Sequence, residues 1–224
     1  MDCYVDSLAE YRDLSALREE LAAKREAIHA RLRDFRDVGR AGDDALFEEL
    51  CFAILAIQSS ARSSDAAVRG LSGAGLLRRG TEKEIAQFLQ HRTRFHNHKA
   101  TYIVRARERF FPGGGPRLRK ALEAFGSSRD ARGWLVREVD GFGYKEASHF
   151  LRNIGRGEDL AILDRHILRN LVRHRVIGRV PKSLTPKRYL AIEDRMRGFA
   201  DHVGISLGVL DLLWWSRQTG EIFK

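Results

Sequence analysis

Two cysteines, Cys3 and Cys51, are all that the 224-residue chain contains. Two isolated thiols build no disulfide framework, no zinc finger and no four-cysteine cluster site. Cys51 lies in an apolar run and reads as a small buried side chain. Long apolar stretches are missing as well, since LCFAILAI, residues 50–57, falls far short of the roughly 20 residues of a membrane span. The opening MDCYVDSLAEYRD is acidic and polar, unlike a secretory signal, so cytoplasmic residence is the default expectation. No alternating strand pattern, internal repeat or low-complexity tract stands out. His91, His96 and His98 form the only histidine cluster, but no cysteine or carboxylate accompanies them at ligand spacing, and no metal site is expected. The glycines of FPGGGPR, residues 111–117, are not a phosphate loop, because no Lys-Ser/Thr pair follows and no strand precedes.

What the chain does have is positive charge. The formal net charge is +10, dispersed through the sequence and not gathered in a tail, which favours a polyanionic partner. Nucleic acid ranks ahead of a membrane surface, because no amphipathic terminal anchor is present. The pattern is helical almost throughout, so the expected fold class is all-α. Helices are predicted over 13–36, from Asp43 or Asp44 to about 60, and over 64–72, 81–90 and 96–110. Thr81 with Glu84 three residues on is a capping-box pattern for the fourth of these. FPGGGPR is the strongest breaker and reads as a flexible connection between two helical lobes, 1–112 and 117–224. Beyond it, helices are predicted at about 117–125, 127–138 and 144–155, after Asp164, and over 185–203 and 206–219.

The stretch VDGFGYKEASHFL, residues 139–151, carries the first chemical signal. Gly141 and Gly143 suit a tight turn between two helices, and backbone N–H groups there, backed by a helix N-terminus, form a concavity suited to a DNA phosphate. Lys145 follows at a helix N-terminus, where the macrodipole disfavours its charge. Facing a cleft, it would be pulled by burial and by the dipole toward the neutral amine that a nucleophile requires. A plain phosphate contact is the competing reading. In LAILDRHILRNL, Asp164 stands 164 − 145 = 19 residues further on, at the head of another helix. Aspartate is a preferred N-cap, and one helix plus a return brings such a carboxylate back beside the amine, where it can assist proton transfer and stabilise positive charge.

Residues GFGYKEASHFLRNIG, AILDRHILRNL and the terminal LDLLWWSRQTGEIFK resemble the type 2 (archaeal-type) 8-oxoguanine DNA glycosylase/AP lyase family, within the helix-hairpin-helix base-excision superfamily. LCFAILAIQSSARS and RFHNHKATYIVRAR resemble its N-terminal half, while residues 1–40 add little. The resemblance implies two helical lobes with a helix-hairpin-helix motif and a cleft between them. It implies that Lys145 attacks C1′ of the damaged nucleoside and that Asp164 is its partner carboxylate. It further implies strand cleavage by β-elimination.

Base extrusion requires a pocket with a stacking face. Leu207, Leu210 and Trp214 share one helical stripe and Trp215 sits about 100° away beside Asp211, so Trp214 reads as core and Trp215 as the stacking platform. Phe95 is the weaker candidate for the opposite wall, and Gln58 is a further pocket candidate. The family places the C-terminal lysine in the base pocket, its terminal carboxylate reading the guanine edge, and Lys224 stands there. The resemblance implies double-stranded DNA containing 8-oxoguanine or abasic sites as partner, and nucleoid association through it. A monomer, with no cofactor beyond a monovalent cation at the hairpin, completes the expectation. The alternatives are a glycosylase for another damaged base and a non-catalytic DNA-binding protein.

Overall fold

The computed structural model describes residues 11–112, 115 and 117–224. Cys3 lies outside them, as does part of the glycine-rich connection. Twelve helices and no strand occur among the described residues: α1 Leu14–Arg40, α2 Asp43–Leu55, α3 Ala61–Gly73, α4 Leu76–Arg79, α5 Glu82–Leu89, α6 His96–Phe110, α7 Leu118–Glu123, α8 Ser128–Glu138, α9 Tyr144–Asn153, α10 Arg165–Arg173, α11 Pro186–Val203 and α12 Leu207–Thr219. The fold is all-α, and most boundaries fall where caps were legible. Thr81 and Glu84 form the capping box of α5, and Asp164 caps α10. Ser127, Thr185 and Ser206 cap α8, α11 and α12 through their hydroxyls.

Two local expectations are corrected. Neither Asp43 nor Asp44 caps α2. Gly42 occupies that position, and both carboxylates lie in the first turn, where they meet the positive end of the helix dipole. The helix also stops at Leu55, although the apolar run continues. Lys99, only 1 % exposed, donates from Nζ to Leu55 O at 2.8 Å, to Ser59 Oγ at 3.0 Å and to Thr93 Oγ1 at 2.6 Å. The ammonium thus satisfies one of the carbonyls that a helix end leaves open. Burial pulls the pKa of Lys99 down to about 8, with Arg94 adding to the effect.

The buried apolar side chains form two clusters. One runs from α2 to α9 and reaches Leu160, and the other joins α1 to the segment from Ala161 through α12. The boundary expected between residues 112 and 117 falls inside the first cluster, which holds both Phe110 and Leu118. Helix α1 belongs with the C-terminal helices, its Leu17, Leu21, Ile28, Leu32 and Phe35 stripe lying on their side. It also touches the first cluster closely at Gly39, where a Cβ would fall 2.1 Å from Ile154 O. Lobes defined by sequence segments and cores defined by packing therefore differ, because a 27-residue helix is long enough to span both.

Beneath the junction of the clusters lies a buried ion pair. Arg132 of α8 reaches Glu193 of α11 through two bonds of 2.5 and 2.9 Å, both side chains 1 % exposed. Arg132 also donates to Ser148 Oγ at 3.2 Å and lies 5.0 Å from the Tyr144 ring centroid. Glu193 accepts from Ala161 N at 2.9 Å. Tyr189, one turn earlier, accepts from Leu163 N at 3.2 Å and donates to Ala161 O at 2.7 Å. Side chains of α11 thus serve the backbone of residues 161–163 as a neighbouring strand would. Removing one partner strands a buried charge, so Arg132→Met destabilises the fold by about 3–5 kcal/mol. Adding Glu193→Leu restores much of the loss, read as urea midpoints of the single and double variants.

Candidate functional site

The hairpin between α8 and α9 fixes the amine. Gly141 has φ +82°, and a Cβ there would lie 2.7 Å from Cε2 of Tyr102 on α6. Only glycine meets both demands. Gly143 precedes α9 as its N-cap, and its N–H donates to Glu146 Oε2 at 3.2 Å. Lys145 is therefore held in the first turn of α9, its side chain about one quarter exposed and its Nζ 3.5 Å from Glu146 Oε1. That carboxylate neighbour did not enter the sequence reading.

Asp164 uses a single oxygen as the cap. Oδ1 accepts from His166 N at 2.7 Å and from Ile167 N at 2.8 Å. Two bonds to one oxygen immobilise the carboxylate with respect to α10. Lys145 and Asp164 then line one cleft of about 500 Å³, together with Ser59, Ser60, Arg62, His149, Arg152, Asp211, Trp215 and Lys224. A volume of this size takes a base-sized ligand. Trp214 is fully buried and stacks at 5.4 Å on His174, while Trp215 lines the cleft, as the helical phase of α12 required.

Lys224 also reaches the cleft, through contacts the sequence did not announce. Its ammonium bonds Glu49 and lies 3.0 Å from Asp65 Oδ1, with Nζ 4.8 Å from the Phe52 ring centroid. Asn153 Nδ2 donates to Glu49 Oε2 at 3.0 Å. Arg62 pairs with Glu221 and lies 5.4 Å over the ring of Phe223. The C-terminal tail is thus pinned from α2, α3 and α9 at once, which holds residue 224 in place.

Phe95 and Gln58 are placed differently from the expectation. Phe95 is 49 % exposed at the N-cap of α6, and neither residue is among those lining the cleft. As placed here, Phe95 does not form a wall opposite Trp215. Both sit in left-handed backbone, Gln58 at φ 51° and Phe95 at φ 57°, a conformation costly for such residues. His91, in the neighbouring loop, shares it at φ 63°. Lys99 bonds Ser59 and Thr93, tying the loop that carries Gln58 to the one before Phe95.

Sequence reasoning passed over the floor of the cleft. His149, Arg152 and Asp211 are 8 %, 2 % and 2 % exposed. The signal was present in Asp211, a lone charge in SLGVLDLLWW on a helix apolar on nearly every face. Arg152 Nη2 lies 3.4 Å from Asp211 Oδ2. Burial raises the Asp211 pKa from 3.8 to about 6. Arg152 and Lys145 oppose the rise, and the Asp164 charge adds to it. Burial also holds His149 well below the usual imidazole range, with Arg152, Lys145 and Lys224 adding to the effect. His149 is neutral in consequence.

Comparison with known proteins places this geometry among relatives. A family model described as 8-oxoguanine DNA glycosylase matches residues 28–205. The chain is 42 % identical over 195 residues to an 8-oxoguanine DNA glycosylase/AP lyase of Fusobacterium nucleatum, covering 87 % of this chain and 89 % of that one. It is 37 % identical over 201 residues to the Methanocaldococcus jannaschii protein of the same description, covering 89 % and 93 %. The crystal structure of the M. jannaschii 8-oxoguanine glycosylase/lyase with a 15mer DNA containing 8-oxoguanine superposes with a TM-score of 0.84. Identity there is 34 %, with 94 % of this chain and 99 % of that one covered.

Asp211 binds its proton more tightly when folded than when unfolded, so stability falls as pH rises from about 4 to about 6. The rise from 3.8 to about 6 is roughly 2 units, or about 3 kcal/mol. Asp211→Asn removes this titration. Its unfolding free energy relative to the unaltered chain therefore increases across that window by an amount of this order, measured by urea denaturation at both ends. A difference that stays flat with pH would contradict the assignment.

Proposed function

The chain belongs to the 8-oxoguanine DNA glycosylase family, and from that membership we propose that it excises 8-oxoguanine from double-stranded DNA and cleaves the strand at the resulting site. The observation that carries the reading is one cleft lined together by Lys145, Asp164, Trp215 and Lys224. The neutral amine of Lys145 attacks C1′. The C1′–N9 bond breaks, the base departs with the bonding electron pair and takes up a proton, and the sugar becomes a Schiff base on Nζ. Loss of a C2′ proton then expels the 3′ phosphate by β-elimination. A water-activating glycosylase needs the aspartate alone, so the lysine makes the enzyme bifunctional.

Asp164, immobilised by its cap, stabilises the positive charge that develops on the deoxyribose and assists proton transfer from Lys145. Its Coulombic reach into the cleft supports that role, since its charge also raises the Asp211 pKa. Trp215 supplies the stacking face. The pinned tail presents the Lys224 terminal carboxylate, which accepts from guanine N1–H and N2–H₂. The N–H groups around Gly141 and Gly143 hold a backbone phosphate, with a monovalent cation bridging to it and no other cofactor. A net charge of +10 provides the attraction to DNA. No helix among the described residues is long and apolar enough to cross a membrane, and the reading places a monomer in the cytoplasm, on the nucleoid.

One incision panel tests these roles. Borohydride trapping on a duplex carrying 8-oxoguanine yields a covalent adduct that disappears in Lys145→Gln. An adduct that survives would rule out Lys145. Asp164→Asn loses turnover by about a hundredfold or more while still binding the lesion. Residues appended after Lys224 slow base excision more than abasic-site cleavage. A chain that cuts only the abasic duplex is not a glycosylase.

A further inference from the structure

The floor of the cleft holds polar atoms that the roles above leave idle. His149 Nε2, Arg152 Nε and Nη1, and Asp211 Oδ2 are buried and have no hydrogen-bond partner among the described residues. Arg152 and Asp211 approach one another at 3.4 Å without closing a bond, and the Arg152 guanidinium lies 4.8 Å over the Phe35 ring. Buried polar groups are almost always satisfied, and a charged pair left short of bonds costs stability. The arrangement is therefore an incomplete one, open toward the cleft that the two residues line.

We propose that Asp211 and Arg152 read the lesion-specific edge of the extruded base, Asp211 accepting its N7–H and Arg152 donating to the adjacent carbonyl oxygen. The inference rests on the proposed function and deepens it. The chemistry follows from what oxidation does to guanine. 8-Oxoguanine carries a hydrogen on N7 flanked by the O6 and O8 carbonyls, so that edge reads acceptor, donor, acceptor. Unmodified guanine has a bare lone pair at N7. A carboxylate beside a guanidinium offers an acceptor next to a donor, complementary to the oxidised edge. Against guanine the same carboxylate faces a lone pair, a repulsion that rejects the undamaged base. A site built to bond a group discriminates strongly against the analogue that lacks it, because its own buried atoms are then left unpaired. The terminal carboxylate at Lys224 serves N1–H and N2–H₂, which guanine and 8-oxoguanine share, so it has no means of making this distinction.

The probe is 8-methoxyguanine, which keeps an oxygen on C8 but has no hydrogen on N7. Single-turnover excision of 8-oxoguanine and 8-methoxyguanine is measured in identical duplexes for the wild-type chain and for Asp211→Asn, with abasic-site cleavage alongside. Taking the ratio of the two lesions within each enzyme, and then between enzymes, cancels their different leaving-group abilities. The side-chain amide introduced by Asp211→Asn presents an N–H to the N7 lone pair, so the preference for 8-oxoguanine falls by about tenfold or more. Abasic-site cleavage falls far less. In a second arm the wild-type chain alone binds non-cleavable 2′-fluoroarabino duplexes, at least about tenfold more tightly with 8-oxoguanine than with 8-methoxyguanine.

An unchanged lesion ratio in Asp211→Asn overturns the inference, as does equal wild-type binding of the two duplexes. Loss of abasic-site cleavage in step with excision would place Asp211 in the chemistry and overturn it too. A wild-type chain that excises no 8-oxoguanine removes the proposed function itself, an outcome distinct from these.

Discussion

The pair between Arg132 and Glu193 is the constraint on which the site depends. It lies beneath the place where the two clusters of apolar side chains meet, and it touches both reacting elements without reaching the cleft. Arg132 packs over Tyr144, the residue before Lys145, and bonds Ser148 one turn on. Glu193 and Tyr189 hold the backbone of Ala161 and Leu163, which leads directly into Asp164. The amine and the carboxylate belong to different cores, and this buried network sets one against the other. Apolar packing alone would leave the register of an irregular segment such as 160–164 weakly specified, since its N–H and C=O groups have no regular partners.

Charge is distributed in two ways that serve different purposes. Across the chain, dispersed arginines and lysines give the long-range attraction expected of a DNA-binding protein. Within the cleft, carboxylates are concentrated instead. Glu49 and Asp65 receive the Lys224 ammonium, Asp164 caps α10, and Asp211 is buried beside Arg152. Bringing a polyanion to acidic groups is unfavourable unless each is tied to a cation or a helix terminus, and here each is. The raised pKa of Asp211 shows that the compensation is partial at that position. Groups held at such a cost are what functional sites are made of.

Much of the fold was legible because it is local. The caps at Thr81, Asp164, Thr185 and Ser206 mark helix starts by chemistry that needs only three or four residues of context. The phase of α12 separated Trp214 from Trp215 correctly, since a helix turns about 100° per residue wherever it sits. The end of α2 was not legible, because the lysine that satisfies Leu55 O arrives from residue 99. Nor was the division of the cores, because α1 packs with helices more than a hundred residues away. Phe95 was expected in the pocket and lies exposed, its direction set by the left-handed backbone at its own position.

The sequence by itself determined the helical architecture, the hairpin with Lys145, the capping aspartate 19 residues on and the family to which these motifs belong. Each of these is a short-range pattern, readable because backbone hydrogen bonding and helix capping operate within one or two turns. Tertiary structure alone decided that Lys145 and Asp164 share a cleft. It alone decided that Glu49, Asp65 and Arg62 pin the C-terminal tail, and that Arg152 and Asp211 stand on the cleft floor with bonds unmade. Those facts depend on contacts between residues up to 175 positions apart, and which buried charge meets which is settled only when the apolar faces that carry them have packed.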